Sequence, residues 1–183
     1  LQLFKPYGVT IHSITNTLYV ADYENHRIMS YTSGNTNGTL ELGGTGFGYS
    51  NTKLCYPVQV YFDLFSNSLL IANAGANNIV QWNIGANNWT LVAGNSSGIP
   101  GITSDRLSQA TGAIFDPMGN LYVADRNNHR IQFFYNGQFN GTTIAGISGV
   151  NSSNMTTLNM PWSITFDNQL NLYVADAFNH RIQ

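Results

Sequence analysis

Three copies of one polar signature stand out in the 183-residue chain: Asp22-Tyr-Glu-Asn-His-Arg27, Asp125-Arg-Asn-Asn-His-Arg130 and Asp176-Ala-Phe-Asn-His-Arg181. Asp, Asn, His and Arg at fixed offsets could bind a metal or carry acid-base chemistry. Shared zinc coordination, at about 2 Å per Zn–N bond, would need the three histidines within roughly 4 Å of one another. Copies of one motif on successive structural units sit too far apart for that. The spacing instead suits an Asp-Arg pair across a hairpin turn, with Asn25, Asn128 and Asn179 supplying turn geometry. A fourth copy, at residues 73–78, has Asn73 and Asn78 in place of both charges. Joint loss is what pairing predicts, because a single orphaned buried charge costs several kcal/mol. Asp22, Arg27, Asp125, Arg130, Asp176 and Arg181 are therefore read as structural clamps. No catalytic residue, metal ligand or cofactor is assigned.

The elements that must position these clamps follow from the repeat. Ile28, Ile79, Ile131 and Ile182 recur at separations of 51, 52 and 51 residues, and Pro6, Pro57, Ala110 and Pro161 open the units. The repeats span residues 6–56, 57–109, 110–160 and 161–183, the last one short. Within the third, GAIFD, LYVAD, RIQFFY and TTIAG read as four strands, separated by DPMGN, RNNH and NGQFNG turns. Helical apolar spacing occurs nowhere. Four antiparallel strands per unit predict an all-β fold, the blades of a β-propeller, with about three and a half blades in this chain. Small residues at the inner strands, Gly8, Gly112 and Ser163, are expected to relieve crowding near the axis.

The pattern P-x-G-V, then L-Y-V-A-D-x-x-N-H-R-I, then T-x-A-G resembles the NHL repeat family of β-propellers along essentially the whole chain. Six blades are common in that family. The resemblance thus implies an incomplete arc of a six-bladed ring, with the remaining blades supplied by a longer parent chain. It also implies two rival functions. One is a non-catalytic scaffold for a protein or glycan ligand; the other is a lyase or a lactone or ester hydrolase with a metal in the central channel. The inner-strand candidates for such a metal are His12, Asp63, Asp116 and Asp167, whose simpler role is to start the following turn.

Composition narrows the partners. Seven Lys and Arg against nine Asp and Glu give a net charge of −2, with no two basic residues adjacent, so no nucleic-acid partner is expected. No apolar run predicts membrane insertion. Cys55 is alone and reads as a small buried apolar residue. The LGGTGFG stretch at 42–48 has the glycines of a phosphate loop but neither a following helix nor Lys-Ser, and reads as a connector. Sequons at Asn37, Asn88, Asn95, Asn140, Asn151 and Asn154 all lie around the outermost strands, favouring an extracellular or luminal glycoprotein.

Ligand contacts are expected where variable segments meet the clamp turns. The connectors after the fourth strands hold 12, 15 and 14 residues and do not resemble one another. In a meander they emerge on the same face as the turn between strands two and three. Tyr23, Arg126 and Phe178 from those turns, with Asp105 and Arg106 from the longest connector, are the predicted binding residues.

Overall fold

The computed structural model describes residues 2–183 as four antiparallel sheets, each a simple meander. Blade one comprises β1 (Pro6–His12), β2 (Thr17–Asp22), β3 (Arg27–Tyr31) and β4 (Thr39–Gly43). Blade two comprises β5 (Pro57–Asp63), β6 (Ser68–Asn73), β7 (Asn78–Asn83) and β8 (Thr90–Gly94). Blade three comprises β9 (Ala110–Phe115), β10 (Leu121–Asp125), β11 (Arg130–Phe134) and β12 (Thr142–Gly146). Blade four has three strands, β13 (Ser163–Phe166), β14 (Leu172–Asp176) and β15 (Arg181–Ile182). The fold is thus the all-β propeller arrangement expected from the repeat.

The hydrophobic core is divided among the seams between consecutive blades. Ile28, Leu42, Val60, Leu69 and Trp82 fill the first, Leu70, Ile79, Ala113, Leu121 and Phe134 the second, and Ile114, Ile131, Leu158, Ile164 and Val174 the third. A strand inside the stack therefore needs apolar residues on both faces, which is why β6 is buried along its whole length. On the outer face of blade one, Val9 and Ile11 are exposed; on blade four, Tyr173 and Ile182 are.

Two glycine positions show how closely the parts approach. A Cβ on Gly8 would lie 2.6 Å from the Val58 carbonyl oxygen, and one on Gly112 would lie 3.1 Å from Ser163 Cα. The crowding at the inner strands is between neighbouring strands of adjacent blades. Gly43, Gly94 and Gly146 close the fourth strands at φ of 81°, 85° and 79°, a left-handed conformation glycine adopts without strain.

Candidate functional site: an aromatic cup on the clamp face

Each clamp turn is a single 3₁₀ turn, at Tyr23–Asn25, Ala74–Ala76, Arg126–Asn128 and Ala177–Asn179. A left-handed residue ends each one: His26, Asn77, His129 and His180, with φ between 52° and 56°. The paired charges meet as the spacing suggested. Arg27 Nε donates to Asp22 Oδ2 at 2.7 Å, and Arg130 to Asp125 and Arg181 to Asp176 at 2.8 Å, with all three aspartates fully buried.

The clamp does more than brace its hairpin. The other carboxylate oxygen accepts a backbone N–H from the incoming connector: Phe4 at 2.7 Å, Ser108 at 2.7 Å and Asn159 at 2.6 Å. Arg130 donates to the carbonyls of Ile102, Thr103 and Arg106 on that connector, and Arg181 to those of Ser153, Asn154 and Thr157. Asn128 and Asn179 add bonds to Gly101 and Ser152. One Asp-Asn-Arg set thereby fixes an otherwise irregular segment whose carbonyls need partners.

The histidine serves the next blade. Tyr56 N–H donates to His26 Nδ1 at 3.2 Å and Met160 N–H to His129 Nδ1 at 3.1 Å. In blade two Asn77 Oδ1 takes the same part, accepting from Gln109 N–H at 2.8 Å. The donors Tyr56, Gln109 and Met160 sit immediately before β5, β9 and the Pro161 that leads to β13, all at left-handed φ of 47° to 51°. That unfavourable backbone turns each N–H back toward the preceding blade. Burial pushes the His26 and His129 imidazoles below their ordinary range, and the Arg126 charge lowers His129 further. Neutral imidazole is the form that can accept at Nδ1.

At the centre of this face the residues that differ between repeats converge. Tyr7, Val58, Thr111 and Trp162 occupy the same repeat position, the second residue of each opening segment, and one from each blade lines a cavity of about 340 Å³. Tyr23, Ala74 and Arg126, the first residues of three clamp turns, line it with Tyr56 and Gln109. The small Ala74 and Gly75 leave the space the larger residues surround. The rings are coupled edge-on or tilted: Tyr7 to Tyr23 at 4.8 Å, Tyr23 to Tyr56 at 4.9 Å and Tyr7 to Trp162 at 6.0 Å between centroids. A narrower space of about 170 Å³ continues along the inner strands past Gly8, Gln59 and Ser163.

Arg126 is the cation of the cup. Its guanidinium lies 5.3 Å from the Trp162 ring centroid and 5.9 Å from that of Phe178. Nη1 donates to Gln109 at 2.9 Å and Asn127 at 3.1 Å, whereas the buried Nε has no partner. Burial, with the neighbouring Tyr7 and Glu24, pushes the Tyr23 phenol above its ordinary range.

Of the five residues predicted to bind, the structure brings Tyr23 and Arg126 into the cup and Phe178 against Arg126. Asp105 and Arg106 do not line it. Asp105 is exposed and accepts from the Thr103 hydroxyl at 2.6 Å, and the Arg106 carbonyl serves Arg130. Tyr7, Tyr56, Gln109, Thr111 and Trp162 were missed in the sequence. Their signal was variation at fixed positions of a repeat whose neighbours are constant.

The inner-strand set lies at the other end of the strands and forms turns. Asp63 accepts from Phe65 N–H and Ser66, Asp116 from Met118 N–H and Asn120, and Asp167 from Gln169 N–H and Asn171. The His12 ring stacks on Phe62 at 4.2 Å. Among the described residues no three His, Cys, Asp or Glu side chains are grouped to hold a metal ion. Cys55 is buried, which pushes its thiol up, and it has no disulfide partner. A further cavity of about 380 Å³, between β12 and blade four, is lined mainly by Ile144, Met155, Leu158, Leu172 and Val174 and carries no charged group.

Comparison with known proteins agrees with the architecture. No curated protein sequence matches the chain. Among solved structures it is similar to an auxiliary nutrient binding protein from Bacteroides thetaiotaomicron, with a TM-score of 0.73 and 18% identity, covering 96% of this chain and 46% of that one. A gluconolactonase from Xanthomonas campestris gives 0.74 and 14%, covering 99% and 58%. Virginiamycin B lyase from Staphylococcus aureus gives 0.66 and 16%, covering 100% and 54%. The chain thus spans about half the length of these structures, and at such identities the likeness is one of fold. The NHL repeat family model matches residues 107–134 and 158–183, each of which carries one Asp-Asn-His-Arg clamp with the strand before it. Segments of two of the four blades thus match the NHL repeat, within a chain whose fold is that of a β-propeller.

Proposed function

We propose that this chain is a non-catalytic binding propeller that seats a glycan on the clamp face, centred on the aromatic cup. The carrying observation is that ring faces and hydrogen-bonding groups from all four blades converge on one cavity. Its size falls within the range of small-ligand sites, and it combines apolar walls with a few placed polar groups, here Gln109, Thr111 and Arg126. The frame around it is rigid, because the clamps tie both connectors and neighbouring blades to the turns that carry Tyr23 and Arg126. Phe178 extends the surface beyond the rim, where a longer saccharide or an attached protein would lie.

A glycan array probed with the 183-residue chain tests this reading. Tyr23→Ala and Trp162→Ala should weaken capture at least tenfold, while Phe65→Ala, in an exposed turn at the opposite end, should leave it unchanged. The reverse ranking would sink the assignment. Turnover of a lactone or glycan that a chelator abolishes would transfer the case to the metal-dependent enzyme reading.

An extracellular or luminal setting fits this function. Asn37, Asn88, Asn140, Asn151 and Asn154 are exposed and Asn95 is half-buried, so glycans at the first five would clear the core. Expression through a eukaryotic secretory pathway should give a product whose mobility increases on enzymatic deglycosylation. An unchanged mobility would remove the support that the sequons lend to this location.

A further inference from the structure

We infer that the ligand of the cup is an acid: a carboxylate carried on a ring with an apolar face, such as a terminal uronic acid, held by the Arg126 guanidinium. This rests on the cup being the ligand seat and goes beyond it by naming the group recognised.

Arg126 is half-used. Both bonds made by its guanidinium to protein are from Nη1, to Gln109 and Asn127, and neither acceptor is charged. The lining contains no Asp or Glu, and the nearby Glu24 is paired with Lys5 at 3.1 Å. A carboxylate in the cup supplies the counter-ion that this guanidinium lacks, through the charge-assisted hydrogen bonds that arginine forms with carboxylates. Neutral hydroxyls could fill only part of that demand and would leave the positive charge without a counter-ion.

The rings set the rest of the ligand. Trp162 lies beneath the guanidinium, and Tyr7, Tyr23 and Tyr56 continue the wall around it. A carboxylate seated on Arg126 therefore carries its ring against aromatic faces, whereas a small acid such as acetate would leave them wet. The Gln109 amide remains to meet a hydroxyl, whereas the Thr111 hydroxyl is engaged with the Pro161 and Trp162 carbonyls.

Calorimetric titration of the 183-residue chain with D-glucuronate, D-galacturonate, benzoate, D-glucose, D-galactose and acetate tests the inference. The three ring acids should bind at least tenfold more tightly than the neutral sugars and acetate. Arg126→Gln should bring the uronates to parity with glucose, and Arg126→Lys, which keeps the charge without the fork, should retain part of the preference. Equal affinity for glucose and glucuronate would overturn the acid while leaving the glycan-binding cup in place. A preference that survives Arg126→Gln would overturn the role of Arg126. Acetate binding as well as the uronates would remove the ring requirement, and silence toward every probe would overturn both this inference and the proposed seat. The comparison of acids with neutral sugars on the unmodified chain stands even where a variant fails to fold.

Discussion

Blades two and three solve the same mechanical problem with different chemistry. In blade three Asp125 and Arg130 form a buried ion pair that reaches into the connector at Ile102, Thr103 and Arg106, and His129 accepts from the next blade. In blade two Asn73 donates to Asn78 at 3.1 Å, Asn73 accepts the Cys55 N–H at 2.7 Å, and Asn77 replaces the histidine. Both arrangements satisfy the same backbone N–H donors. What differs is the cost of assembling them: burial pushes the Asp125 carboxyl up, against the pull of Ser108, Asn128 and Arg130, and an amide pair carries no such penalty. The charged version gains reach, since Arg130 meets three carbonyls on the connector that enters its blade, whereas Asn78 meets Asn95 on the segment that leaves its own.

That contrast makes the largest expected effect asymmetric. Asp125→Ala strands a buried guanidinium and the N–H groups of Ser108 and Asn128, and should cost about 3–5 kcal/mol. Asn73→Ala leaves only neutral groups unpaired and should cost about 1–3 kcal/mol. Equilibrium urea denaturation of each variant measures both. Equal losses would mean that charge plays no part in the difference between the blades.

A double-mutant cycle sharpens the point. Asp125→Asn with Arg130→Asn recreates the blade-two pair, and the double variant should be more stable than Arg130→Asn alone, with a coupling of about 1–3 kcal/mol. It should still fall short of the parent, because the carbonyls of Ile102, Thr103 and Arg106 lose their donor. Zero coupling would make the joint loss in blade two a coincidence.

The blade comparison also explains what the sequence disclosed. Strand order was legible because LYVAD and its turn residues recur in phase, and the ion pairs were legible because the second repeat has Asn73 and Asn78 in place of both charges. The second duty of each clamp was not. Its partners are backbone N–H groups of Phe4, Ser108 and Asn159, which any residue but proline supplies, so no side-chain pattern marks them. The left-handed Tyr56, Gln109 and Met160 share no residue type either, since tertiary hydrogen bonds rather than local propensity hold them there. The cup escaped for the opposite reason. Tyr7, Val58, Thr111 and Trp162 are the positions where the repeat stops repeating, and their convergence exists only once four blades stand around one cavity.

The smallest effect is also the most discriminating, because the molecule contains its own control. His26 and His129 hold their seams as neutral acceptors, and their folded-state pKa values lie below the ordinary 6.5. A base whose pKa is depressed by folding contributes stability that is fully present above about pH 6.5 and is lost as pH falls toward the folded value. Protonation places a hydrogen on Nδ1 and turns the acceptor into a second donor facing the N–H of Tyr56 or Met160. The equivalent seam at Gln109 uses the Asn77 amide, which does not titrate in this range. Hydrogen exchange, corrected for the intrinsic rate at each pH, should therefore show protection at Tyr56 and Met160 falling between pH 7 and pH 5 while Gln109 is unchanged. His129→Asn should leave the urea midpoint near that of the parent at pH 7 and abolish the pH dependence at Met160 alone, because it converts that seam into the one blade two already uses. Parallel behaviour at all three amides would show that acid loosens the propeller as a whole and that the histidines are not its point of entry.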